Sequence, residues 1–201
     1  VLNVQSGLDA FDNLIAETSL VPAEVIWNYE MGIKGTANDQ RQEYNLAAFY
    51  QDYENFQINR RDESARIITE NAGKATNIGV EAETNWTVNK FLQINSHIAY
   101  IDASIDKSSD NGLYAGNRFR LQPRWTSAIG FRYWSPLNDG NLQFFSNGAW
   151  TYRSEVFFEP DNEPVLGIDI AEGSVALVNA KLGIKSPQHG WAIYLLSLIH
   201  I

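Results

Sequence analysis

The sequence predicts an all-β protein whose antiparallel strands form part of a transmembrane β-barrel. Apolar residues alternate with polar ones over segments of about ten residues, short turns alternate with long polar connections, and basic residues keep to one side of the alternating segments. Aromatic residues make up 12% of the chain, as expected for half-buried strands and for the aromatic girdles of membrane barrels. No apolar run is long enough for a transmembrane helix, but a β-barrel has no such run, because its two faces alternate along each strand.

The alternation has a period of two residues, as in a strand with two different faces. In the first clear segment, Trp27, Tyr29 and Met31 lie on one face, and Asn28 and Glu30 lie on the other. The clear segments are 25–35, 78–88 and 176–184, and those that alternate less cleanly are 92–100, 124–133 and 142–153. Residues 44–58 are predicted to be a strand, but the sequence does not settle which of its faces meets lipid. The apolar residue Leu46 and the charged residue Asp52 lie on the same face of this strand.

The basic residues of these segments share the parity that is predicted to face away from lipid. They are Lys34, Arg124, Arg132, Arg153, Lys181 and Lys185. A basic side chain on the lipid face costs about 2–4 kcal/mol at the bilayer midplane. The segregation therefore favours a membrane barrel, although a soluble antiparallel sheet with one wet face shows the same alternation.

The connections between the predicted strands are alternately short and long. The short ones are Ala37–Gln40, Asn89–Lys90, Leu137–Gly140 and Ser186–Gly190, and the long ones are Leu8–Ala23, Asn59–Ala65, Asp106–Phe119 and Glu159–Gly173. Bacterial outer-membrane barrels have short periplasmic turns and long extracellular loops. The strands are predicted near 1–6, 24–36, 42–58, 66–88, 90–105, 120–136, 141–158, 174–186 and 190–195. About nine strands do not close an even-numbered barrel, so we expect the chain to be a fragment.

Five motifs, in order along the chain, resemble one family. They are Val4-Gln5-Ser6-Gly7, Pro22-Ala23-Glu24 followed by Trp27–Lys34, Leu46–Gln57, Asn71–Glu83, and Gly116-Asn117-Arg118 with Pro123-Arg124-Trp125. Together they resemble the C-terminal β-barrel of TonB-dependent receptors, and the likeness covers nearly the whole chain. Within the fourth motif, Gly73 and Gly79 are expected to permit a bulge or a close backbone approach. Glu81 and Glu83 are expected to add polarity to the lumen wall.

The resemblance implies a function in active transport. Residues 1–195 would form part of a 22-stranded barrel whose lumen is closed by a plug domain. Such receptors bind large, scarce solutes (iron–siderophore complexes, haem, cobalamin or oligosaccharides) in the outer membrane of diderm bacteria, where they contact lipid. TonB supplies the energy from the inner membrane through the N-terminal plug region. We expect that region, and the last strand of the barrel, to lie outside this chain.

Five residues of the predicted extracellular loops are weak candidates for binding the solute: Arg60, Arg61, Asn117, Arg118 and Arg120. The arginines could attract an anionic ligand, although surface loops carry such residues in any case.

Other chemistry is not predicted. His97, His189 and His200 lack metal-ligand spacing, and Asp102, Asp106 and Asp110 lack the pattern of a calcium loop. The chain has no cysteine and no hydrolase, phosphate-loop or zinc-protease motif, so we expect neither an enzyme nor a cofactor or metal site. The formal net charge of −9 argues against nucleic acid as a partner.

The last six residues, Leu196–Ile201, match the in-frame translation of a common transposon-end sequencing adapter. We interpret them as read-through rather than as protein. The alternative is that these apolar residues continue the last strand.

Two other functions stay open at this point. One is a passive porin or channel, which would need no plug domain. The other is a soluble extracellular β-sandwich, such as a carbohydrate-binding module, which would need no detergent.

Overall fold

The computed structural model describes residues 2–8, 14–61, 67–107, 112, 114–137, 140–162 and 171–200, and for residues 2–8, 14–20, 60 and 61 it describes the backbone alone. The strands are β1 Leu2–Leu8, β2 Leu14–Leu20, β3 Val25–Ala37, β4 Gln42–Glu54, β5 Gln57–Arg61, β6 Ile67–Asn71, β7 Ala75–Asn89, β8 Leu92–Ile105, β9 Trp125–Leu137, β10 Leu142–Arg153, β11 Val156–Phe157, β12 Ala171–Glu172, β13 Val175–Ser186 and β14 Trp191–His200. Within the described residues, no helix is long and apolar enough to cross a membrane.

Eight of the strands form one antiparallel sheet in the order β14-β13-β10-β9-β8-β7-β4-β3. The pairs β1–β2, β5–β6 and β11–β12 form small sheets of their own. The turns within β3–β4, β7–β8, β9–β10 and β13–β14 lie at one end of the large sheet, here called the short-turn end. The longer connections join the other ends of these strands, so they lie at the opposite, long-loop end, together with the pairs β5–β6 and β11–β12. The predicted alternation of short and long connections is thus confirmed.

The short turns use the residues that the sequence offers for left-handed backbone. Asn38, Asp39 and Gln40 have φ angles of 53°, 56° and 64°, and Gly140 and Gly190 have φ angles of 91° and 69°. Asparagine, aspartate and glycine tolerate this region better than other residues.

One face of the large sheet is apolar across neighbouring strands. Met31 is paired with Ala48, Ala48 with Val80, Val80 with Tyr100, and Tyr100 with Trp125. Directly paired residues point to the same side of a sheet, so these residues form one surface, here called the apolar face.

The apolar face is open to its surroundings even on interior strands. The exposed fractions of Val80, Ile98 and Ile129 are 53%, 48% and 51%. A contiguous exposed surface of this kind is typical of proteins that contact a membrane or a partner. The face is therefore the one predicted to meet lipid.

The register also settles the facing of residues 44–54, the part of the predicted strand 44–58 that lies on β4. Leu46 is paired with Ile33 and Ala82, so it belongs to the apolar face. Asp52 shares that face but is paired with Trp27 near the end of β4 that leads to the long-loop end. Asp52 therefore shares the parity of the apolar residues but lies at the end of the strand and not in its middle.

The opposite surface, here called the polar face, carries the predicted lumen residues. Glu81 is paired with Ala47 and Ala99, and Arg132 is paired with Gln93. The facing predicted for Arg124 stays a prediction, because Arg124 lies outside the strands. This residue precedes β9, and its guanidinium lies 3.0 Å from the carboxylate of Asp102. Asp102 is paired with Ile78 on the apolar face.

Several predicted strands are interrupted. The strand predicted over 42–58 divides into β4 and β5 at Asn55, whose φ is 55°, and the one over 66–88 divides into β6 and β7 at Gly73, whose φ is 85°. The strand predicted over 141–158 divides into β10 and β11. The strand predicted to start at residue 120 starts at Trp125, because Leu121 has a φ of 58° and Pro123 has no N–H group for a ladder.

Three of the predicted long loops contain paired strands. The connection 8–23 includes β2, the connection 59–65 includes the end of β5, and the connection 159–173 includes β12. Pairing satisfies backbone hydrogen-bonding groups that a loop would leave to water. Residues 9–13, 62–66, 108–111, 113, 138–139 and 163–170, which complete the predicted connections, lie outside the described residues.

The final strand is longer than predicted. β14 pairs with β13 from Trp191 as far as His200, whereas the sequence predicts a strand only to residue 195. The adapter interpretation of Leu196–Ile201 stays a prediction, because an apolar segment pairs with a free strand edge whatever its origin.

Candidate functional site

A small hydrophobic cluster lies at the long-loop end of the sheet. Its buried members are Ile58, Ala72, Ala75 and Ile105, and Tyr53, Phe56, Tyr114 and Phe119 pack around them. These residues come from β4, β5, β7, β8 and the connections that adjoin these strands. The cluster therefore fixes the hairpin β5–β6 against the end of the large sheet.

The change of direction at Asn55 and Gly73 places β5 over the cluster. The N–H of Phe56 donates to the carbonyl of Gly73 at 2.8 Å, and the N–H of Ala72 donates to the carbonyl of Phe56 at 2.7 Å. Gly73, expected to permit a bulge or a close backbone approach, lies between β6 and β7 with a φ of 85°.

The segment 116–119 extends along the end of β8. The N–H of Ile105 donates to the carbonyl of Asn117 at 2.8 Å, and the N–H of Phe119 donates to the carbonyl of Ala103 at 3.0 Å. This pairing lays the ring of Phe119 on that of Phe56, with centroids 4.4 Å apart and planes 9° from parallel. The two rings make a flat apolar surface from residues that are far apart in the sequence.

Asn117 joins this segment to the connection that follows β11. Its side-chain amide donates to the carbonyls of Pro160 and Asp161, at 3.0 and 2.8 Å. Asn162 completes the join through two hydrogen bonds with the backbone of Arg118. Asn117, a candidate ligand contact from the sequence, thus uses its amide inside the protein.

The side chain of Arg118 is also packed inside the protein, with an exposed fraction of 16%. Its guanidinium donates to the carbonyl of Gln122 at 3.2 Å, lies 3.7 Å from the carboxylate of Glu155, and lies 5.3 Å from the ring centroid of Phe157. Burial, together with the positive charge of Arg124, lowers the pKa of Arg118 from its usual value. These contacts favour a role in holding the connections together.

Arg120 differs from Arg118 because it is exposed. Its guanidinium donates to the carbonyl of Asn59 at 3.4 Å, so it spans from its own segment to β5. The N–H of the next residue, Leu121, donates to the carbonyl of Phe157 at 2.8 Å. Of the five candidates, Arg120 is the one whose charged group is described and remains accessible to a ligand.

Arg60 and Arg61 follow Asn59 on β5. Their backbones are paired with Ile68 and Ile67 of β6, and their side chains lie outside the described part of the chain. The structure thus brings the strand that carries them next to Arg120.

These segments enclose a pocket of about 470 Å³, here called the loop pocket. Its apolar lining includes Phe56, Ile105 and Phe119, and its polar lining includes Gln57, Asn59, Arg118 and Arg120. The volume is within the range of about 300–1,000 Å³ that is usual for small-molecule sites. An apolar floor with donors and a cation at the rim can bind an organic anion that carries a ring.

Sequence reasoning missed the apolar floor of this pocket and the role of Asn162. Phe56 and Phe119 have no distinguishing local pattern, since each is one aromatic residue in an aromatic-rich chain. Only the contact between their rings in the folded chain shows that they line the pocket together.

The acidic candidates for calcium are not brought together. Asp102 pairs with Arg124, the hydroxyl of Thr76 donates to Asp106 at 3.5 Å, and Asp110 lies outside the described residues. Across the ranges that the structure describes, no group of three His, Cys, Asp or Glu residues is placed to hold a metal ion.

Comparison with known proteins identifies one family model and several solved structures that this chain resembles. Residues 7–197 match the family model described as TonB dependent receptor-like, beta-barrel. Among solved structures, the chain is similar to the ferric yersiniabactin uptake receptor FyuA from Yersinia pestis, with 21% identity and a TM-score of 0.70 over 96% of this chain and 27% of that one. It is also similar to BauA, the ferric preacinetobactin receptor from Acinetobacter baumannii, with 14% identity and a TM-score of 0.59 over 100% of this chain and 28% of that one. A third similar structure is the ferric-catecholate import receptor Fiu from K12 E. coli, with 16% identity and a TM-score of 0.61 over 86% of this chain and 23% of that one.

Proposed function

Because the chain belongs to the TonB-dependent receptor family and forms part of its β-barrel, we propose that it is a section of an outer-membrane receptor that imports a ferric siderophore. The chain spans 27%, 28% and 23% of the three receptor structures described above. The titles of those structures name ferric yersiniabactin, ferric preacinetobactin and ferric catecholates as the substrates of those proteins. Haem, cobalamin and oligosaccharides are the other solutes that the family resemblance suggests.

The observation that supports a siderophore most directly is the loop pocket. It lies at the long-loop end, which is the extracellular end of an outer-membrane barrel. The stacked rings of Phe56 and Phe119 offer a flat apolar contact, and Arg120 supplies an exposed cation beside them. A ferric complex that carries aromatic groups and net negative charge matches both features.

The pocket also suggests which sequence candidates contact the solute. Arg120 is proposed as a direct contact, together with Arg60 and Arg61 on the adjoining strand. Asn117 and Arg118 are proposed to act as positioning residues, since their polar groups bind other connections of the same chain.

The first experiment measures binding by the whole receptor, purified in detergent, to the ferric complexes of a catecholate and a phenolate siderophore. Quenching of tryptophan fluorescence reports the binding. We expect Arg120→Gln to weaken the binding of one complex by about tenfold, because an exposed charged contact of this kind contributes about 1.4 kcal/mol, near the low end for hydrogen bonds to charged groups. The matched control is Lys90→Gln, which removes an exposed cation at the short-turn end. Equal binding by both variants and the parent would contradict the role of Arg120, and no binding of either complex would contradict a ferric siderophore.

The second experiment tests the energy source. Cells that express the whole receptor should accumulate iron-55 from the bound complex when TonB is present and should retain binding without accumulation when TonB is deleted. Accumulation that continues without TonB would instead support the passive channel.

A further inference from the structure

A second pocket lies on the polar face near the short-turn end, away from the loop pocket. Its volume is about 700 Å³, and its lining includes Arg132, Trp134, Phe145, Asn147, Lys181 and Lys185. We call it the basic pocket. In a barrel of this family the polar face is the wall of the lumen, so the basic pocket opens to the interior.

The register of the sheet sets the spacing of its charges. Arg132 of β9 is paired with Asn147 of β10, and Asn147 is paired with Lys181 of β13. The backbones of Arg132 and Lys181 are therefore two strand spacings apart, about 10 Å. Their long side chains rise from the same face on either side of the Asn147 amide.

The charges of the polar face are distributed unevenly among the strands. On this face, β3, β4 and β7 carry the carboxylates of Glu30, Glu43, Glu81 and Glu83 together with the ammonium of Lys34. The charged residues that β9, β10 and β13 carry on this face are all cations, namely Arg132, Arg153, Lys181 and Lys185. The guanidinium of Arg153 forms an ion pair with the carboxylate of Glu172. Among the ion pairs of the described residues, none involves the three cations of the basic pocket.

Aromatic rings hold one of these cations in place. The ammonium of Lys181 lies 3.7 Å from the ring centroid of Tyr194 and 5.7 Å from that of Phe145. A ring face attracts a cation without neutralising it. Lys181 is thus oriented by two rings on the polar face.

From this arrangement we propose that the basic pocket binds a group with two or more carboxylates. A guanidinium accepts a carboxylate through two parallel hydrogen bonds, and Lys181 can bind a second carboxylate on the far side of Asn147. The apolar rings of Trp134 and Phe145 reduce the access of water and so strengthen both contacts. The proposal requires only that the sheet be a barrel wall, and it does not depend on the identity of the imported solute.

The carboxylates can come from acidic side chains of the same polypeptide inside the lumen or from a dissolved polycarboxylate. For the first source, the whole receptor is treated with a carbodiimide, which condenses a lysine amine with a carboxylate to form an amide. Peptide mass spectrometry should then find Lys181 or Lys185 joined to an aspartate or glutamate, at a yield well above that of the exposed Lys90.

For the second source, citrate is titrated into the whole receptor in an isothermal calorimeter. Parent protein should bind citrate, and the double variant R132Q/K181Q should bind it at least tenfold more weakly. Lys181→Arg, which keeps the charge, and Lys34→Gln, which removes a cation from another part of the polar face, should both bind like the parent. The shift of the folded barrel on an unheated gel verifies that each variant is folded.

A positive result in either arm supports the proposal and identifies the source. The proposal is overturned when Lys181 and Lys185 form no more crosslinks than Lys90 and citrate gives no more heat than glycerol. It is also overturned when R132Q/K181Q binds citrate as tightly as the parent in the absence of crosslinks. Neither result bears on the uptake of iron, so a failure here is distinct from a failure of the proposed function.

Discussion

Asn162 and Arg118, 44 residues apart in the sequence, exchange two hydrogen bonds. The N–H of Arg118 donates to the side-chain oxygen of Asn162 at 2.6 Å, and the side-chain amide of Asn162 donates to the carbonyl of Arg118 at 3.1 Å. The amide of Asn162 thus pairs with the backbone as a neighbouring strand would. This contact joins the connection before β9 to the connection after β11, and it supports one wall of the loop pocket.

We predict that Asn162→Ala loosens this join. The side chain loses its two hydrogen bonds with Arg118 and a third to the carbonyl of Glu159, which costs about 1–3 kcal/mol locally, and a φ of 55° adds about 1 kcal/mol of strain for alanine. Hydrogen exchange of the Arg118 amide should accelerate by at least tenfold. Asn162→Gly is the control for strain, because it removes the side chain but tolerates the backbone. Unchanged exchange at Arg118 in both variants would show that the join does not depend on this side chain.

We predict that Phe119→Ala disorders the loop pocket. The substitution removes the ring that stacks on Phe56, and truncating a buried phenylalanine typically costs about 3–5 kcal/mol, less here because Phe119 is only partly buried. Limited proteolysis should cut the connection before β9 faster than in the parent. Phe158→Ala, which removes a ring that is 41% exposed, should leave the cleavage rate within twofold of the parent.

We predict that Gly79→Ala destabilises the barrel. A Cβ atom at Gly79 would lie 2.4 Å from the ring of Phe49 and 3.0 Å from the carbonyl of Tyr100, so the ring must move. Overpacking of this kind costs about 1–3 kcal/mol. The temperature at which the folded band disappears from an unheated-gel assay should fall. The control is Gly173→Ala, because a Cβ there meets no atom within 4 Å, and Phe49→Leu should restore much of the loss at Gly79.

We predict that Ala48→Arg and Ala47→Arg differ sharply, although the two residues are neighbours. Ala48 lies on the apolar face, opposite Met31 and Val80, whereas Ala47 lies on the polar face, opposite Glu81. An arginine on the lipid side costs about 2–4 kcal/mol near the midplane, and one beside a glutamate does not. Folding into lipid vesicles should therefore be reduced for Ala48→Arg alone. Equal yields from both variants would contradict the assignment of the apolar face to lipid.

The sequence by itself determined which residues face each side of the sheet and where its short turns lie. Both signals are local. Side chains alternate with a period of two along a strand, and residue types that tolerate left-handed backbone, such as Asn38 and Gly190, mark the turns. Even the ambiguous parity around Leu46 needed only the register with Ile33 and Ala82 to resolve it.

The tertiary structure decided where strands break and which side chains meet at the pockets. Asn55 and Gly73 turn β5 onto the cluster because Phe56 and Ala72 find partners there. Arg118, a weak candidate for solute binding from the sequence, is packed against Glu155 and Phe157. Such contacts join residues that are tens of positions apart, so their energies have no period along the chain, and only the folded arrangement of the strands brings them together.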